Sequence, residues 1–148
     1  MRSTSHTLRL TAHLIVHRGL HTGEQFTDPR TGSLDVCAAA YLATERYDLP
    51  ERLNIPDVFL TDEGHARDLI EANPQAMNVI RAISAAIHNY EVPDSNGRPD
   101  YIEHVSNWAA TTPIGETRPP STSEVIGCIL RAANQTALTG FPHQRPAA

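Results

Sequence analysis

Apolar residues recur along this chain at three- and four-residue steps in six separate stretches, the spacing that lines one face of an α-helix. Leu8, Ala12 and Ile15, widened by Leu10 and Leu14, predict a first helix over Thr4–Arg18, with Ser3 or Thr4 as its cap and Gly19 as its stop. Asp35 is placed to cap an Ala-rich second helix over Val36–Tyr47. Thr61 is placed to cap a third over Asp62–Ala72, with Ala66, Leu69 and Ile70 facing inward. Pro74, after Asn73, suits the first position of a fourth helix that reaches His88 or Asn89 and carries Ala76, Val79, Ile80, Ile83 and Ile87 inward.

A fifth helix is expected over Pro99–Ala110, with Tyr101, Ile102, Val105, Trp108 and Ala109 on one face. Ser121-Thr-Ser-Glu124 has the form of a capping box opening the last helix, which buries Val125, Ile126, Ile129, Leu130 and Ala133. Between the first two helices the period changes. Glu24–Asp28 and Ser33–Asp35 flank Pro29-Arg-Thr-Gly32, the signature of a small β-hairpin. Asp94–Gly97 is a further turn, and Pro50, Pro56 and the Thr111–Pro120 stretch interrupt the pattern as loops. The expectation is a mainly α (α+β) fold, six helices around one core with one small hairpin. Residues 1–135 form a single globular domain in this reading, and residues 136–148 a flexible tail.

Composition narrows the function. A chain of 148 residues, 40% hydrophobic and 20% charged, is long enough and apolar enough to fold as one domain without disulfides or metal. Its net charge is −5 and its twelve basic residues, all Arg, are scattered. Nucleic acid and anionic membrane surfaces are therefore not expected partners. The absence of Lys excludes a Schiff base, a phosphate-loop lysine and a Ser–Lys dyad. Cys37 and Cys128 form no paired motif, and no signal-peptide core or membrane-length apolar run is present, so a cytoplasmic location with reduced thiols is expected.

One resemblance emerges from the order of these motifs: Arg18-Gly19-Leu20, Thr22-Gly23, the hairpin, Cys37 opening an Ala-rich helix, Asn107-Trp108, and a Ser/Thr-x-x-Glu-Val helix. Spanning most of the chain, it resembles a family of small uncharacterised actinobacterial and phage-type domains. That pattern has Gly-Ala after the cysteine and Asn-Asp after the tryptophan. Here Ala38-Ala39 and Ala109-Ala110 stand there. The resemblance implies this organisation and no activity.

Three constellations can carry chemistry. Cys37 falls at the second position of its helix, where free N–H groups and the helix dipole favour a thiolate. With His104 and Asn107 it gives the chain order Cys, His, Asn of papain-like hydrolases, although the stretch around His104 reads as helix where those enzymes place a strand, and Asp35 would raise the thiol pKa. The alternative is a cysteine packed as a small hydrophobe. His13 and His17 stand one helical turn apart, so both rings can reach one metal ion; a third ligand would come from Glu63, His65, Glu103 or His104. The alternative is a polar stripe hydrogen-bonded to nearby loops. Tyr101 and Trp108 either complete the core or line a recognition groove beside the Pro-rich loop.

No catalytic set is complete and no cofactor is expected. The sequence therefore favours a non-enzymatic binding or accessory protein whose partner is an unidentified protein or small molecule, with self-association open. The rival is a cysteine-dependent hydrolase or acyl transferase using Cys37 and His104. A weaker rival is a metal-binding protein through His13 and His17.

Overall fold

The computed structural model describes residues 3–45, 54–87, 92–93 and 96–139. It is mainly helical, in the order α1 Thr4–Arg18, α2 Val36–Thr44, α3 Val58–Thr61, α4 Glu63–Glu71, α5 Pro74–Ala86, β1 Val92–Pro93, β2 Pro99–Asp100, α6 Tyr101–Ala110 and α7 Thr122–Thr139.

The central element is α2. Every residue from Val36 to Ala43 is buried, as expected of a helix that is apolar all round. Its three successive alanines let neighbours approach closely, and α1, α5, α6 and α4 all pack on it. α7 lies along α1 and α5 on the far side. Leu8, Leu14, Ile15, Leu42, Ile80, Ile83, Val105 and Ile129 are fully enclosed between these helices. Phe59 of the short α3 closes one end, its ring meeting Tyr41 edge-on at 5.5 Å and Phe26 at 5.8 Å.

Helix ends follow side-chain chemistry. Ser3 accepts from the His6 amide, Asn73 from Ala76, and Asp100 from Glu103. The Ser121–Glu124 capping box forms reciprocally, at 2.9 and 3.1 Å. Gly19, at φ 91°, ends α1 with its N–H on the Ile15 carbonyl.

Several expectations are corrected. The cap of α4 is Asp62, whose carboxylate accepts from His65, while Thr61 ends the extra one-turn helix α3. α2 stops at Thr44, α5 at Ala86, and α6 starts at Tyr101 because Asp100 takes the cap. α7 runs on past Gln135 to Thr139. Trp108 and Ile126 are half-buried rather than central, and Leu130 is exposed, with Cys128 taking the inward position on α7.

The expected hairpin is reduced to a single antiparallel bridge of Leu34 with Thr27, and Leu34 also forms a parallel bridge with Leu20. Its turn does form: Asp28 Oδ1 accepts from the Arg30 amide, and Gly32 donates to the Asp28 carbonyl at a φ of 75°. Leu34 exchanges backbone hydrogen bonds with the Gly19–His21 stretch on one edge, while on the other the Asp28 amide donates to the Ser33 carbonyl and the Asp35 amide to the Phe26 carbonyl, so three short segments meet side by side. The one ladder among the described residues is β1 with β2, two residues each. It flanks the expected Asp94–Gly97 turn, of which Asp94 and Ser95 lie outside the described residues, as do Tyr47, Pro50, His88, Asn89 and residues 140–148 of the expected tail.

Candidate functional site

The loop before α2, the start of α4 and one side of α6 enclose a cleft of about 230 Å³, walled by Gln25, Asp35, Glu63, Arg67, Glu103 and Ser106. Asp35 is its pivot. As the cap of α2, its Oδ2 accepts from the Cys37 amide at 2.7 Å, and the same oxygen accepts from the Ser106 hydroxyl at 3.1 Å. The residue is only 7% exposed. Burial pushes its carboxyl from near 3.8 up to about 6, against hydrogen bonds from Cys37 and Ser106 that favour the ionised form. A carboxyl poised near neutrality on a cleft wall is a recurrent mark of functional sites.

Gln25 contributes two further marks. Its φ of 67° is the one positive value at a non-glycine residue among the described residues, a conformation that costs roughly 1–2 kcal/mol. Its Oε1 is also the one buried side-chain oxygen or nitrogen without a hydrogen-bond partner among the described residues, a loss of about 1–3 kcal/mol. Arg67 reaches the cleft with its guanidinium held by Asp100 and, at 3.1 Å, by Glu71. Asp35, Glu63 and Glu103 therefore face it with a cation that is already neutralised.

Cys37 stands behind this wall, fully buried. Its Sγ lies 3.7 Å from the Ile102 carbonyl and 3.5 Å from the Ser106 hydroxyl. Burial first, and the Asp35 charge second, push the thiol well above the ordinary range, opposite to what a nucleophile requires. The helix dipole expected to activate it is outweighed by the loss of water. His104 is also buried, and its Nδ1 pairs with the Ser84 hydroxyl of α5 at 2.7 Å. Ile102 and Ser106 are one turn apart and meet Cys37, whereas position 104 falls on the opposite side of α6. Asn107 is exposed, and its Oδ1 accepts from Thr111 at 3.0 Å. The Cys, His, Asn order of the sequence thus distributes over three separate environments.

Tyr101 and Trp108 are both half-buried but belong to different depressions. Tyr101 lines one of about 250 Å³ with Arg67, Met77 and Arg98. Trp108 lines another of about 350 Å³ with Pro113, Pro119, Pro120 and Arg131, beside the Pro-rich loop. They do not share one groove. His13 and His17 are exposed on α1 with ring centroids 4.3 Å apart. None of the offered third ligands joins them, for among the described residues no three His, Cys, Asp or Glu side chains are grouped to hold an ion.

Gln25, Ser106 and Arg67 escaped the sequence reading. Ser106 and Arg67 are half-buried polar residues that the apolar pattern of their helices does not mark, and glutamine carries no signal for a left-handed backbone. Asp35 was visible, but as a cap and as a neighbour of Cys37. Compared with protein-family models, curated proteins and solved structures, the chain matches none.

Proposed function

We propose that this chain is a non-enzymatic binding module whose ligand, a small polar molecule, occupies the Asp35–Gln25–Ser106 cleft. The observation that carries this reading is the meeting of two anomalous residues on one cleft wall: Gln25, left-handed and with an orphaned buried oxygen, and Asp35, whose buried carboxyl is held at about 6. Each is a cost to folding, and such costs persist where a site needs them. A cleft of this size accepts a molecule of a few heavy atoms and supplies acceptors from Asp35, Glu63 and Glu103 with a donor–acceptor hydroxyl from Ser106.

The cysteine-hydrolase alternative needs an open thiolate and a neighbouring imidazole, whereas Cys37 is sealed and His104 serves Ser84. Residence in the cytoplasm belongs to the same reading, supported by two cysteines that are both free. Among the described residues no helix is long and apolar enough to cross a membrane.

The test is a two-dimensional NMR titration of the full chain with a library of small polar fragments. Binding that shifts the Gln25, Asp35 and Ser106 amides, and that is lost in Ser106→Leu, which fills the cleft, supports the assignment. Fragments that bind only beside Trp108, or no binding at all, overturn it.

A further inference from the structure

We infer a second site, independent of the cleft: the side chains of His13 and His17 form a two-imidazole chelate for a borderline divalent transition-metal ion of the copper, nickel and zinc class. Neither residue takes part in the binding reading above, and the two readings stand or fall separately.

The geometry carries the inference. One turn of helix brings the rings to a centroid separation of 4.3 Å, tilted 59° to one another. Two nitrogens bound at about 2.0–2.1 Å to one ion stand roughly 3 Å apart, so small side-chain rotations bring one nitrogen of each ring into place. Both rings are exposed, and among the described residues neither has a hydrogen-bond partner. The expected alternative, a polar stripe bonded to neighbouring loops, is therefore not what the rings do.

Their surroundings leave the site open to a cation. The two arginines of α1 are turned elsewhere: Arg9 donates to Asn134 at 2.9 Å, and Arg18 donates to the Gly32 carbonyl at 3.2 Å. Among the described residues, His6, His21 and His65 do not join the pair. His6 is seven residues before His13, about 10.5 Å along the axis, too far to share an ion. His21 is engaged with the Glu24 carbonyl at 2.8 Å, and His65 with Asp62 at 2.6 Å.

With two protein ligands, water fills the remaining coordination positions, so affinity is modest and follows the order in which Cu²⁺ exceeds Ni²⁺ and Zn²⁺. Because the chelate bridges one turn of α1, which packs on α2, α5 and α7, bound metal also stabilises the fold by mass action.

The experiment titrates metal-free, untagged full chain with Cu²⁺ and Zn²⁺ separately, by calorimetry, with melting curves in parallel. The expected result is saturable binding that weakens by at least about tenfold in His13→Ala and equally in His17→Ala, because either change leaves a single ring in place of a chelate. His6→Ala and His65→Ala should leave it within about twofold, since single exposed imidazoles gain no chelate advantage. The metal-induced rise in melting temperature should vanish in His17→Ala. One ion per chain and one ion per two chains both support the assignment, because both rings ligate in either. Absence of binding, or equal losses in His6→Ala and His17→Ala, overturns it. These positions are solvent-facing, so the variants fold and their metal-free melting curves match that of the unaltered chain.

Discussion

Asp35 and Ser106 lie 71 positions apart in sequence and are joined by a hydrogen bond of 3.1 Å that ties the start of α2 to the middle of α6. The oxygen that accepts it also caps α2, so one buried carboxylate oxygen fixes a helix terminus, a helix pair and the wall of a cleft. Its burial sets a pH dependence of definite sign. The folded carboxyl titrates at about 6 and the unfolded one near 3.8, so the folded state holds the proton more tightly. Below both values Asp35 contributes no penalty. As pH rises from about 4 to 6 the unfolded chain releases the proton first, and stability falls by at most about 3 kcal/mol.

Asp35→Asn keeps a side-chain oxygen at the cap and removes the titration. Relative to the unaltered chain, the variant should gain roughly 1–3 kcal/mol between pH 4 and pH 7. Urea unfolding at each pH measures this, and other carboxylates cancel because they are common to both proteins. A difference that stays constant with pH would show that Asp35 is as well solvated folded as unfolded.

The buried thiols give a second prediction. Burial raises both Cys37 and Cys128, the latter eased by Arg131, so iodoacetamide should label neither quickly in folded protein. Labelling of Cys37 should show no titration midpoint below the free-thiol value of about 8.5, and His104→Ala should leave its rate unchanged. A midpoint near 7 that moves in His104→Ala would restore the hydrolase reading.

For the core, Ile83 is fully buried on α5, a helix that packs on α2, α6 and α7. Ile83→Ala should cost ~2–5 kcal/mol in chemical denaturation. A loss under about 0.5 kcal/mol, the range of surface changes, would mean that α5 turns a different face inward.

How much of this was legible follows from the range of the forces involved. Caps are local, so Asp35, the Ser121–Glu124 box and, as one of two candidates, Ser3 were readable from neighbouring residues. Periodicity placed Ile80, Ile83, Val105 and Ile129 in the core because their helices carry one clear apolar face. It overplaced Trp108 and Ile126, since a face says which side is inward but not where packing ends. The hairpin forms in minimal extent, as the Thr27–Leu34 bridge, and the second pairing of Leu34, with Leu20, was not legible because that segment precedes both hairpin arms. The site was least legible. Cys37 drew notice for its helix position, but its reactivity depends on burial by α6, and its contact with Ser106 spans 69 positions. His104 was matched to Cys37 by order along the chain, whereas Ser84 on a different helix holds its ring.

Gln25 separates folding from function most sharply. Its φ of 67° suits glycine, and its buried Oε1 lacks a donor, so Gln25→Gly removes backbone strain and an orphaned acceptor together. Relief of the two is worth ~2–5 kcal/mol in principle. Against it stand the extra freedom of glycine in the unfolded chain, ~0.5–1 kcal/mol, and the lost packing of the side chain stem. The strain relief is the larger quantity, so the variant should be more stable, by about 1 kcal/mol or more in urea. If the residue is kept for the cleft, the same variant should bind the fragments that shift Gln25 and Ser106 at least about tenfold more weakly, the exchange of activity for stability expected at a strained site. Stability and binding are measured on one protein preparation, and the prediction lies in their opposite signs. A variant that is less stable and binds equally well would make Gln25 a structural residue of the loop and remove two of the three marks from the cleft.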